Sequence, residues 1–145
     1  MHLTNYTDYS LRTLMYLKLH PYKRVTVAEI ADYFEISHNH VVKVANNLAK
    51  MELIEATRGK GGGIKLLPAA ETQPLGELVK VLEPKKDLVS CINKDGKLCN
   101  IAAECSLTGV LDDALGKFFD ELNRYKLDDV VKCRNEEISV NIAEK

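Results

Sequence analysis

The stretch RGKGGG at residues 58–63 lies between two short β-prone runs, LIEAT at 53–57 and IKLL at 64–67. Four glycines in six residues permit a tight turn with positive φ values, so the two runs read as a β-hairpin with a basic tip. Two short helices precede it. TVAE at 26–29 has the form of a capping box, with Thr26 and Glu29 satisfying the first-turn amides of a helix that runs to about Tyr33. Residues 34–36 form a short turn, and Ser37 reads as the N-cap of a helix over 38–50 whose inner side is Val41, Val44, Ala45 and Leu48. A first helix over 6–19, striped by Leu11, Leu14, Met15 and Leu17, is stopped by Pro21.

Two helices joined by a tight turn and followed by a hairpin make a winged helix-turn-helix, in which the second helix enters a DNA major groove. The expected class is mainly α with a small β-hairpin wing. The outer side of the 38–50 helix supports this over a merely solvated helical hairpin, because it is rich in Asn and Lys. Asn pairs bidentately with adenine, and Lys suits guanine or phosphate. The candidate DNA contacts are Ser37, His38, Asn39, His40, Lys43 and Asn47 on the helix, with Arg58, Lys60, Gly61 and Gly62 in the wing. A nucleotide-phosphate loop is the weaker reading of the glycines, since they precede a strand and not a helix. Charge agrees with the DNA reading. Residues 1–70 carry nine Lys/Arg against six Asp/Glu, whereas the remainder carries eleven against fifteen. Only the first half is suited to a phosphate backbone.

Residues 75–82 form a short helix opened by Pro74 and stopped by Pro84, and Pro68 and Pro74 frame a loop before it. A long helix over 106–123 carries Leu107, Val110, Leu111, Ala114, Leu115, Phe118, Phe119 and Leu122 at i, i+3, i+4, i+7 spacing. The small N-terminal domain has little surface left to cover so broad a stripe. Pairing with the same helix of a second chain is therefore expected, and a two-fold homodimer suits a palindromic site on double-stranded DNA. The expected divisions are 1–83 for DNA binding, 84–106 for a loop, 107–131 for dimerisation, with one more turn at its end, and 132–145 as a charged tail.

The loop carries Cys91, Cys99 and Cys105, spaced C-x7-C-x5-C. These gaps do not fit one helix face, and with Gly96 inside the first they suit a wrapped loop. Soft thiolates select iron–sulfur clusters, zinc or copper(I), and zinc pairs usually stand closer together. Buried apolar thiols are the plainer alternative, but Asn93, Lys94, Lys97, Asn100 and Glu104 make the surroundings polar. A thiol switch or a zinc site stays open, as does the fourth ligand. Cys133 lies in the tail, and all four histidines fall in the first half. The start of the chain is polar and no run approaches the ~20 apolar residues that span a bilayer, so a cytoplasmic protein without membrane contact is expected. No nucleophile–base arrangement marks an enzyme. An electron-transfer role is disfavoured by the wing.

At this level the chain resembles a family of winged-helix iron–sulfur repressors, over roughly residues 1–131. The matching text is Leu3-Thr4, Thr7-Asp8-Tyr9 and Leu11-Arg12, NHVVK at 39–43, RGKGGGI at 58–64, LEP at 82–84 and the Cys99-x5-Cys105 pair. The resemblance is strongest to the nitric-oxide-sensing branch. It implies that the three cysteines hold a cluster, [4Fe–4S] ahead of [2Fe–2S]. It also implies that Asp8 of a second subunit is the fourth ligand, and that nitric oxide is the signal that releases DNA. The branch that regulates cluster biogenesis uses a histidine two to three residues past the last cysteine. Leu107 and Thr108 stand there in this chain.

Overall fold

A computed structural model of the chain describes residues 2–84 and 98–131. Three helices, α1 (Asn5–Leu19), α2 (Val27–Phe34) and α3 (His38–Lys50), are followed by an antiparallel hairpin of β1 (Ile54–Thr57) and β2 (Gly63–Leu66). Then come α4 (Pro68–Thr72), α5 (Leu75–Leu82), α6 (Leu107–Leu122) and a last helical turn over 127–131. The mainly helical winged helix-turn-helix with a long additional helix is the fold expected from the sequence pattern.

Local chemistry sets each boundary. Thr4 caps α1 by accepting from the Thr7 amide, and the helix ends at His20, before Pro21. Thr26 and Glu29 form the expected box, with the Thr26 amide donating to Glu29 Oε2 at 2.6 Å and the Glu29 amide to Thr26 Oγ1 at 3.2 Å. The Lys23 ammonium, and then the Thr26 amide and hydroxyl, hold the Glu29 carboxyl down at about 2. Glu35 ends α2 in the left-handed region at φ 55°, which turns the chain sharply into α3. Ser37 stands at the cap position of α3, but its hydroxyl makes no cap hydrogen bond. The expected loop between Pro68 and Pro74 is instead helical as α4. Pro68 sits in its first turn, where a missing N–H costs nothing, and Ala70 is fully buried.

The core lies between α1, α3, the hairpin and α5. Leu14, Leu17, Ile30, Val41, Val44, Leu48, Ile64, Leu78 and Leu82 are all buried there. Each fully buried Leu or Ile contributes roughly 1.5–3 kcal/mol of transfer free energy. On α1 the buried side also includes Thr7, Ser10 and Thr13. Ser10 and Thr13 donate to the carbonyls of Tyr6 and Tyr9 at 2.7 and 2.8 Å, so these hydroxyls enter the interior already paired. Leu127 of the last turn joins the same core. Lys18 reinforces that attachment, reaching Asp128 at 2.8 Å and Glu71 of α4 at 3.2 Å. The hydrogen bond to Asp128, with that to Glu71, keeps the Lys18 ammonium above its ordinary range.

Helix α6 docks on α5 at one crowded point. The Glu77 amide, in the first turn of α5, donates to Asn123 Oδ1 at 2.9 Å, so a residue at the end of α6 supplies the cap that Pro74 cannot. The Lys80 ammonium and then the Asn123 amide hold the Glu77 carboxyl below its ordinary range. Gly76 makes the approach possible, because a Cβ there meets the Phe119 carbonyl and Asn123 Oδ1. Gly76→Ala is therefore expected to lower stability by about 1–3 kcal/mol through overpacking. Urea unfolding of the two chains measures this, and a difference below about 0.5 kcal/mol contradicts the tight approach.

Candidate DNA interface and thiol segment

Helix α3 turns Val41, Val44, Ala45 and Leu48 into the core and its other side to solvent. Ser37, His38, Asn39, His40 and Lys43 are exposed, and Asn47 is half-buried. The outer face has no acid in its first turn and ends in Lys50. It thus combines amide and ammonium groups with no carboxylate on the helix to repel phosphate.

The wing is anchored as well as shaped. Val25, just before α2, exchanges backbone hydrogen bonds with Ile64 at 3.0 and 2.8 Å, which fastens β2 to the helix-turn-helix. Arg24 pairs with Glu55 of β1 at 2.9 Å. Two glycines matter for packing. A Cβ on Gly62 collides with the Thr57 carbonyl inside the turn, and one on Gly63, at φ 148°, collides with the Val25 carbonyl. The turn consequently closes flush, with the Gly62 amide donating to the Gly59 carbonyl at 2.9 Å. Arg58, Lys60 and Gly61 are left exposed at the tip and Gly62 half-buried.

Asp8 lies in the first turns of α1, half-exposed, with both carboxylate oxygens bound by Arg12 Nε at 2.9 and 3.0 Å. An exposed i,i+4 pair of this kind is worth about 0.3–0.5 kcal/mol, so it orients the carboxylate without trapping it. Arg12 also stands 5.8 Å from the Phe34 ring centre on α2. The neighbouring Tyr9 meets His40 of α3, ring centres 5.9 Å apart.

Cys99 is exposed and Cys105 half-buried, and both are free thiols. The chain between them folds through successive turns, with the Ala102 amide donating to the Cys99 carbonyl and the Glu104 amide to the Ile101 carbonyl. Neither thiol belongs to the core. Cys91 and Cys133 lie outside the described residues, and among the described residues no three His, Cys, Asp or Glu side chains converge as a metal set. The donor chemistry fits a soft metal centre, with two accessible thiols on one folded-back segment. On α6, Leu107, Val110 and Phe118 are exposed, Leu111 and Leu115 half-exposed, and Phe119 alone is buried. Within one chain the apolar stripe is largely uncovered.

Spacing gave no role to Glu83, Tyr9 or Asn123, although Tyr9 and Glu83 stand in the text that carries the resemblance. Their partners are 31 to 79 positions away, at His40, Glu77, Thr4 and Thr7, and no local spacing reports such contacts.

A polar reading helix, an anchored basic wing and an accessible thiol segment define a winged helix-turn-helix transcriptional regulator. The model of the family described as Rrf2, iron-dependent transcriptional regulator, matches residues 3–133. The chain belongs to the Rrf2 family. The HTH-type transcriptional regulator NsrR of Shouchella clausii is 43% identical over 132 residues, which is 90% of this chain and 89% of the relative. The regulator of the same name from Halalkalibacterium halodurans is 41% identical over 137 residues, 94% of each chain. Among solved structures, T. potens IscR superposes with a TM-score of 0.71 at 19% identity, covering 94% of this chain and 90% of that one. CymR of B. subtilis, described as its global cysteine regulator, gives 0.65 at 20% identity, covering 91% and 97%. At those identities the likeness is one of fold. These relatives are named as transcriptional regulators. No helix among the described residues is long and apolar enough to cross a membrane.

Lys43 on α3 and Arg58 at the wing are exposed cations. Lys43→Ala and Arg58→Ala are each expected to weaken binding on all duplexes alike and to reduce the slope of log affinity against log salt by about 0.9. Asn39→Ala, which removes an exposed amide of α3, is expected to relax sequence preference at one position by about 1–3 kcal/mol. Fluorescence anisotropy across a salt series separates the two behaviours. An unchanged slope removes Lys43 or Arg58 from the phosphate contacts.

Proposed function

We propose that this chain is a DNA-binding transcriptional repressor that senses nitric oxide through an iron–sulfur cluster and releases its operator when the cluster reacts. Cys91, Cys99 and Cys105 are its thiolate ligands, with [4Fe–4S] the favoured nuclearity, and Asp8 of a second copy completes the set. The observation that carries this reading is the pair of free thiols, Cys99 and Cys105, held off the core in a chain of an iron-dependent regulator family. The likeness to regulators named NsrR supports it further.

The cluster, when bound, supplies an iron with a carboxylate ligand that is more easily displaced than thiolate. The chain supplies the rest. Asp8 is already oriented by Arg12, and its pairing is weak enough to yield to a metal. The bare stripe of Leu107, Val110, Leu111, Leu115 and Phe118 supports a homodimer along α6. Two recognition helices then meet the half-sites of a palindrome. Losing the Asp8 link between subunits changes how the first helices, and with them the recognition helices, are spaced. A coupling of about 1–3 kcal/mol changes affinity five- to 150-fold, enough for a switch.

Anaerobic absorbance of the reconstituted chain, joined to a gel shift titrated with nitric oxide, tests this function. Charge-transfer bands and a loss of DNA binding in step with their bleaching are expected. A colourless protein points instead to a thiol or zinc regulator, and full DNA binding after complete nitrosylation defeats the sensing role. Asp8→Ala is expected to leave the thiolate bands but speed cluster loss in air. An unchanged rate removes Asp8 from the ligands.

A further inference from the structure

Among the described residues, Glu83 is the only charged residue that is buried, at 8% exposure. It is the C-cap of α5, and the chain runs from it through Pro84 into the segment that carries the cysteines. Its carboxylate reaches back across the fold to the start of α1. The Thr4 amide donates to Glu83 Oε2 at 2.9 Å, the Thr4 hydroxyl at 3.2 Å and the Thr7 hydroxyl at 2.9 Å. Thr7 Oγ1 also lies 3.1 Å from the Leu82 carbonyl. A carboxylate is costly to bury unless it is well hydrogen-bonded. Here three donors converge on one oxygen, and the positive end of the 15-residue α1 favours the negative charge. Removing the carboxylate takes this acceptor from the Thr4 amide and leaves the Thr7 hydroxyl only the Leu82 carbonyl and the Thr4 hydroxyl, so the tie between α1 and the end of α5 is weakened.

The turn it grips has two further contacts. Successive helical residues point about 100° apart. Thr7 faces Glu83, Asp8 faces Arg12 and the half-exposed surface, and Tyr9 faces His40 of the recognition helix. One turn of α1 thus touches the root of the cysteine segment, carries the candidate metal carboxylate and abuts α3.

We propose that Glu83 is a positioning residue, a latch that fixes the first turn of α1 to the root of the cysteine segment, so that the state of that segment reaches His40 and α3 through Thr7 and Tyr9. This rests on the cluster-sensing reading above and adds the residue that transmits it. Glu83 is not a ligand in this scheme. It acts by holding the turn that carries Asp8 and Tyr9 against the end of α5.

The test compares the full-length chain with Glu83→Ala, Glu83→Gln and Thr7→Val. Glutamine keeps size and one acceptor oxygen, and valine removes only the hydroxyl. The probe is a duplex selected by the unaltered chain from a random-sequence pool. Affinity is measured anaerobically before and after the iron is stripped with a chelator, and amide exchange over residues 4–9 is followed in the stripped protein. For the unaltered chain the loaded-to-stripped affinity ratio is expected to be at least about fivefold. In Glu83→Ala and Thr7→Val the ratio falls toward one while the chain stays folded and takes up iron. Exchange over 4–9 quickens, and Glu83→Gln restores part of both. A merely structural role lowers both affinities together and leaves the ratio alone, which overturns the proposal. If Glu83→Ala does not fold, Thr7→Val decides by the same ratio. An unaltered chain that takes up no iron, or binds equally well loaded and stripped, overturns the sensing reading itself and the latch with it. That result differs from a switching parent whose latch variants also switch, which overturns the latch alone.

Discussion

Helix α1 is the member against whose buried side the recognition helix, the wing strand β2 and α5 all pack. Lys18 ties it to α4 and to the last helical turn, and Thr4 and Thr7 tie it to the end of α5. Orientation of α3 is therefore not a local property of the helix-turn-helix. Dense packing of this kind resists independent movement of α1 and α3, which is the physical basis of the coupling proposed above.

The helix-turn-helix with its wing and the thiol segment are built differently. The reading helix and wing are closed by backbone hydrogen bonds, a capping box and close glycine contacts. They form a rigid platform with exposed Asn and Lys groups. The thiol segment is held by short turns and presents sulfur to its surroundings. Helix α6 is fastened to the platform at Gly76 and Asn123, and leaves its remaining apolar side bare. Low local packing suits an element that opens readily, and dense packing suits one that holds a register.

Periodicity and capping chemistry made the helix-turn-helix legible. The box at Thr26 and Glu29, the inner residues Val41, Val44, Ala45 and Leu48 and the hairpin around the glycines stand where their spacing places them. Three features were hidden for physical reasons. Helix α4 is too short to show a period and is bracketed by prolines, and only the fold shows Ala70 buried on it. Thr7, Ser10 and Thr13 look like surface residues, yet bonds to nearby carbonyls let the latter two bury cheaply. Glu83 looks like a surface acid, and only the fold brings Thr4 and Thr7 to it. At the candidate site, the exposure of Asn39, Lys43 and Arg58 follows from pattern alone. The ligand set rests on the cysteine spacing and on resemblance, with Cys91 outside the described residues.

Hydrogen–deuterium exchange of the anaerobic, DNA-free protein, before and after nitric oxide, reads most directly whether the sensing segment and the reading helix share one mechanical element. Protection is expected to fall together in residues 4–9 of the first turns and 37–43 of the recognition helix, alongside residues 98–106. A change confined to 98–106, with α1 and α3 untouched, contradicts coupling through α1.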